Sequence, residues 1–146
     1  MALINPEIYR EYDIRGVYQK DFDSGFAELL GRSHISYIAK KSGNKNPRVT
    51  VGHDARLSSP EMYKSLIKGM TESGAHVVRL GLIATPISYF STFKLENIAG
   101  AVMITGSHNP PEYNGFKISV GNQTIYGDEI QTLGKIIKEK DFINGN

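Results

Sequence analysis

Residues 99–120 read AGAVMITGSHNPPEYNGFKISV, and the change within this stretch from apolar run to chain breakers and back decides the architecture. Ala99 to Ile104 is short, apolar and carries the β-branched Val102 and Ile104. That is the pattern of a strand covered on both faces, and length and flanks favour it over a buried helix. Gly106 allows backbone angles that other residues avoid. Asn109-Pro110-Pro111 ends any ladder, because proline has no N–H and biases its predecessor to extended geometry. The chain must leave the sheet here. Asn114-Gly115 is a strong hairpin signal, predicting a turn followed by a strand from Phe116 to Val120. Phe116, Ile118 and Val120 would share one face and Lys117 the other, so that Lys117 turns back toward Ser107.

Working outward, strands alternate with helices. Ser24 to Lys41 has Phe26, Leu29, Leu30, Tyr37 and Ile38 near helical spacing, with Asp23 or Ser24 as a start signal and Gly43 beyond the end. Arg48 to Gly52 reads as a strand. Ser58 and Glu61 suit a capping box, Pro60 fits the first turn, Met62, Leu66, Ile67 and Met70 make one face, and Gly74 ends the helix. Ala75 to Leu80 is a further strand. Thr85-Pro86 opens a helix through Leu95, with Ile87, Phe90 and Phe93 expected inward. After the hairpin, Asp128 to Lys140 is a last helix with Ile130, Leu133, Ile136 and Ile137 on one face, and Asp141 to Asn146 reads as a frayed end or the start of a linker. Such alternation implies right-handed crossovers and a three-layer α/β/α domain with a mixed, mainly parallel sheet. The hairpin strand from Phe116 would be its antiparallel edge. Ligands of open α/β sheets bind beyond the carboxyl ends of the strands, which selects the loops His53–Leu57, Gly81–Thr85 and Thr105–Pro111.

At 146 residues one domain is expected, able to bury about 70% of its unfolded surface. The sequence contains no cysteine, which removes disulfides and thiolate chemistry and fits a reducing cytoplasm. No apolar run approaches the roughly 18 residues of a membrane span. The formal charge of +2 is spread along the chain rather than gathered into the basic stripe of a nucleic-acid binder. Motifs for nucleotide phosphates, zinc hydrolysis and nucleophile elbows are all missing.

Taken alone, Ser107 is an unactivated alcohol of the kind that most often satisfies a turn. As a covalent phosphate carrier it would split an isomerisation into two transfers. Phosphoryl transfer rests on positioning and charge stabilisation, and His108, Lys117 and Arg15 supply the cations and donors it needs. His108 alone reads as a turn residue, Lys117 as a solvated lysine and Arg15 as a surface side chain. Asp54 and Arg56 read as a structural pair bracing their loop, and His34 and His76 as structural histidines. A serine hydrolase built on Ser107 and His108 fares worst, since adjacent side chains diverge and no buried acid partner is evident.

The segment TGSHNPPEYNGFK resembles the active-serine signature of the α-D-phosphohexomutases. Gly106 and Phe116 favour the phosphomannomutase/phosphoglucomutase branch over the phosphoglucosamine mutases, which typically have Ala and Ile there. Tyr12-Asp13-Ile14-Arg15-Gly16 and Val51-Gly52-His53-Asp54-Ala55-Arg56 resemble the same family in the same order, although His53 and Ala55 stand where Arg and Gly are frequent. The resemblance implies that Ser107 carries the phosphoryl group, that His108 and Lys117 move protons, and that Tyr12, Arg15, His108 and Lys117 contact substrate. It further implies interconversion of hexose 1-phosphate and hexose 6-phosphate through a hexose 1,6-bisphosphate. Mg²⁺ would contact Ser107 through its phosphate. The family's metal-binding aspartate loop, sugar-contacting loop and carboxyl-terminal phosphate segment are absent, so residues 1–140 correspond to the first of four domains, with 141–146 leading to the next. The isolated domain is then expected to be inactive. The alternative is a non-enzymatic module that binds sugar phosphates or other anions.

Overall fold

The computed structural model describes residues 1–145. Strands β1 (Ile14–Val17), β2 (Arg48–His53), β3 (His76–Leu82), β4 (Ile98–Ile104), β5 (Tyr113–Val120) and β6 (Gln123–Thr124) form one sheet in the order β1-β5-β4-β2-β3, with β6 paired to β5. Pairing of β4 with β2 and of β2 with β3 is parallel, whereas β5 runs antiparallel to β4, β1 and β6. One strand, β5, is therefore reversed within a sheet whose other strands point the same way.

Helices α1 (Ser24–Ser42), α2 (Ser59–Glu72), α3 (Thr85–Lys94) and α4 (Asp128–Glu139) complete the fold. Val49 and Val51 of β2 enter the main core with Phe26 and Leu30 of α1, Leu66 and Met70 of α2, and Leu133 and Ile137 of α4. Thr50, between them, points to the other face and meets Ser91 of α3, Oγ1 to Oγ 2.8 Å. Three helices thus cover one face of the mixed sheet and α3 the other, giving the expected three layers. The Phe22, Phe26 and Phe116 rings pack with centroids 5.8 to 5.9 Å apart, at tilted and edge-on angles favoured by aromatic quadrupoles. This cluster ties the amino-terminal segment, α1 and β5 together. Asp23 caps α1 by accepting from Phe26 N–H at 2.9 Å, and Gly43 closes it in the left-handed region.

Several expectations are corrected. Asn114-Gly115 lies inside β5, and the reversal is made by residues 105–112. Asn114 is fully buried and donates to Ser58 Oγ (2.8 Å) and Ser59 Oγ (3.0 Å), so its side chain serves tertiary contact rather than a turn. Gly115 is opposite Arg15, where a Cβ would collide with the Ile14 carbonyl and lie 3.1 Å from Arg15 Cα. Nor is β5 an edge: β1 pairs along its outer side and takes that position. No capping box forms at α2, because Ser58 adopts helical angles and its hydroxyl accepts from Asn114, while Glu61 accepts from the Tyr18 hydroxyl at 2.8 Å.

The largest departure concerns α3. Ile87, Phe90 and Phe93 are 48%, 58% and 70% exposed, and the helix buries Ser88 and Ser91 instead. Residues 141–145 are not frayed. Ile143 N–H donates to Ser36 Oγ at 3.0 Å, Gly145 N–H to the Glu72 carbonyl at 2.8 Å, and the Arg32 guanidinium lies 4.5 Å over the Phe142 ring.

Candidate active site

β2, β3 and β4 end on one edge of the sheet at His53, Leu82 and Ile104. The segment after β4 carries Ser107, whose φ of +53° puts a non-glycine residue in the left-handed region. Such angles cost free energy and persist where surroundings hold them. Here two local hydrogen bonds restrain the turn. Ser107 N–H donates to Thr105 Oγ1 at 3.0 Å, and Asn109 N–H to the Gly106 carbonyl at 3.0 Å.

Arg15 reaches this loop from β1. Its Nη1 donates to Asn109 Oδ1 at 2.6 Å and its Nη2 approaches Ser107 Oγ at 3.3 Å, while Nη2 also pairs with Asp13. Lys117 Nζ, from β5, stands 3.9 Å from the same Asp13 oxygen. A largely buried carboxylate thus sits between two cations, of which Arg15 also reaches the serine hydroxyl. The orientation of Lys117 follows from strand alternation, since Phe116 and Ile118 enter the core on the opposite face.

The loop after β2 braces the serine loop from behind. Arg56 Nη1 donates to the carbonyls of Pro110 (2.6 Å) and Tyr113 (3.0 Å), and Nη2 to those of Ser107 (3.1 Å) and Asn109 (2.8 Å). Its Nε donates to Asp54 Oδ2 at 3.2 Å. Asp54 also accepts from the Ser59 hydroxyl at 2.6 Å, Arg56 N–H at 3.1 Å and Gly106 N–H at 3.3 Å. Burial raises the pKa of the Asp54 carboxyl, but the bonds from Ser59, Arg56, Thr105 and Gly106 outweigh it and hold the group below its ordinary value.

Arg15 thus reaches Ser107 directly and Lys117 joins the cluster only through Asp13, while His108 and Tyr12 lie outside it. His108 is exposed next to Ser107, and Tyr12 is 72% exposed on the bend before Asp13. The Gly81–Thr85 loop packs Ile83 onto Gly52 and its N–H onto the His53 carbonyl, supporting β2. Among the described residues, no group of three or more His, Asp or Glu side chains could hold a metal.

The profile described as phosphoglucomutase/phosphomannomutase, alpha/beta/alpha domain I, matches residues 6–144. The chain belongs to the phosphoglucomutase/phosphomannomutase family. It is 42% identical over 144 residues to the phosphoglucomutase of Neisseria meningitidis, a match covering 98% of this chain and 30% of that protein. To the phosphomannomutase/phosphoglucomutase of Pseudomonas aeruginosa it is 42% identical over 138 residues, covering 94% of this chain and 29% of that protein. A crystal structure of a phosphoglucomutase/phosphomannomutase family protein from Burkholderia thailandensis superposes with a TM-score of 0.91 at 37% identity, over 99% of this chain and 32% of that one. The chain thus spans about 30% of the length of the curated relatives it matches.

Within this domain I, Asp13 and Asn109, which hold Arg15, are not marked by residue type alone. Both lie inside the segments that carry the family resemblance, so the signal was their place beside Tyr12, Arg15 and Ser107. Asp54 and Arg56 do brace their loop as expected, but their reach into the serine loop required the fold.

Proposed function

We propose that the chain is the serine-bearing domain of a phosphohexomutase that interconverts hexose 1-phosphate and hexose 6-phosphate. The observation that carries this reading is the approach of Arg15 Nη2 to Ser107 Oγ, 3.3 Å, with Lys117 on the same side of the sheet. In the first transfer the bond from Ser107 Oγ to phosphorus breaks as a hexose hydroxyl oxygen bonds to that phosphorus. The hydroxyl proton passes to Lys117 or His108, which serve as the acid/base pair. Hexose 1,6-bisphosphate results, and after it reorients the second transfer returns a phosphoryl group to Ser107.

Arg15 stabilises charge on the transferring oxygens through its planar fork, while Asp13 and Asn109 fix its orientation. Tyr12 and His108, open to solvent, are available to substrate. A Mg²⁺ ion would supply further charge neutralisation. Ser107 would meet it through phosphate oxygens, with the other ligands from outside these residues. The parent enzyme places residues 1–140 as its first domain and 141–146 at the start of the linker to the remaining domains, its partners in the same polypeptide. The setting is the cytoplasm, in keeping with a sequence without cysteine.

Incubation of the parent enzyme with hexose 1,6-bisphosphate, followed by mass spectrometry of the peptide containing Ser107, tests the reading. Phosphate on Ser107 is expected. Its complete absence would favour the anion-binding module instead.

A further inference from the structure

We propose that Arg56 is a positioning residue for phosphoryl transfer at Ser107. The proposal rests on the reading of Ser107 as phosphoryl carrier. A guanidinium has five N–H donors in a rigid fork. All five are committed at Arg56: one to Asp54, and four to the carbonyls of Ser107, Asn109, Pro110 and Tyr113. No donor remains for a substrate, so Arg56 acts through the loop and not on the reacting atoms. Its charge is balanced by Asp54, which also holds Gly106 N–H.

The four carbonyls span the reversal that carries the serine. Drawing them onto one planar group fixes the curvature that presents Ser107 at φ +53° with its Oγ toward Arg15. Lysine would keep the charge but offers three donors on a single nitrogen and cannot span four carbonyls in a plane. Arg56→Lys breaks the fork, and Asp54→Asn removes the carboxylate that orients it and holds Gly106 N–H, so two substitutions at different positions attack one brace.

The test uses both, measured in the parent mutase, with circular dichroism and thermal melting confirming that each variant folds. Each is expected to lower kcat about 100-fold, the scale of a misplacement near 1 Å, with KM within about twofold of wild type. The double variant should be no worse than the poorer single one, because both remove the same restraint. Amide exchange of Asn109 and Tyr113, whose N–H groups close turns inside the loop, should quicken in each variant. Near-wild-type kcat in both, with Ser107→Ala inactive, would overturn the positioning role and leave the carrier reading standing. Additive losses would overturn the shared contact. Turnover by Ser107→Ala would instead sink the carrier reading.

Discussion

Arg15 Nη2 lies 3.3 Å from Ser107 Oγ across 92 positions of sequence, because β1 pairs with β5, which pairs with the strand that ends at the serine loop. Removing that cation should leave the hydroxyl in place but strip charge stabilisation from the transferring group. In the parent enzyme, Arg15→Ala should lower kcat by about 100- to 1,000-fold, the usual loss for one oxyanion donor. Steady-state kinetics check this, and an unchanged kcat would remove Arg15 from the chemistry.

Lys117 and His108 differ in the structure, one facing Asp13 and the other open to solvent. Lys117→Ala and His108→Ala should each reduce kcat, by about 100- to 10,000-fold for a general acid or base. Wild-type rates in both would make them surface residues.

His34 gives a pH dependence. It is fully buried against the Ser119 carbonyl, 2.9 Å from Nε2, and burial pushes its pKa from 6.5 down to about 4, the bond to Ser119 opposing only in part. The fold keeps this imidazole neutral while the unfolded chain takes up a proton. Stability should therefore be complete above pH 6.5 and fall as the pH drops toward 4, with no further loss from His34 below that. One pKa unit corresponds to about 1.4 kcal/mol, so the loss is on the order of 3 kcal/mol. Urea titrations between pH 7 and pH 4 read it, and His34→Gln should flatten the profile in that window. An unchanged slope would assign the loss to other groups.

Asp54 acts lower in pH, since its carboxyl is held below 3.8 by the bonds that outweigh its burial. Its contribution should be present above that value and fade as the pH falls through the depressed pKa. Asp54→Asn should weaken the Arg56 brace at neutral pH, seen as faster amide exchange at Gly106. Wild-type protection there would show that the carboxylate is dispensable.

Helices α1 and α2 touch backbone to backbone. A Cβ on Gly69 would collide with the Glu28 carbonyl and lie 3.2 Å from Arg32 N. Alanine gains about 1 kcal/mol of helix propensity, whereas overpacking costs about 1 to 3 kcal/mol or more. The collision is with rigid backbone, so the cost should win. Gly69→Ala is expected to lower the urea midpoint, and a raised midpoint would mean that the helices can separate freely.

Residues 1–146 should unfold in one cooperative transition yet fail to isomerise hexose phosphates. The core is continuous across α1, α2, α4 and the sheet, which supports independent folding. Without other domains the sugar lacks orienting contacts, and an advantage of up to about 7 to 11 kcal/mol is largely lost. A coupled mutase assay with Mg²⁺ and the bisphosphate should stay at background. Multiple turnovers would show that these residues suffice.

The sequence by itself determined most of the elements and the edge of the sheet at which the serine loop lies. Local signals did this: Asp23 and Gly43 bound α1, Ile130, Leu133, Ile136 and Ile137 mark the buried face of α4, and the prolines after Ser107 force the chain off β4. Each depends on neighbours a few residues away. Only the tertiary structure decided what distant residues do to one another. Asn114-Gly115 carries a turn signal but is taken into β5, because β1 closes over Gly115 and the Asn114 amide bonds Ser58 and Ser59. The periodicity of α3 gave an apolar face without its direction. Against Thr50 the helix turns Ser88 and Ser91 inward, since small side chains and a hydrogen bond fit that face of β2, and leaves Phe90 and Phe93 outside. The five bonds of Arg56 and the wedge of Asp13 between Arg15 and Lys117 likewise arise from strand order, which no local pattern encodes.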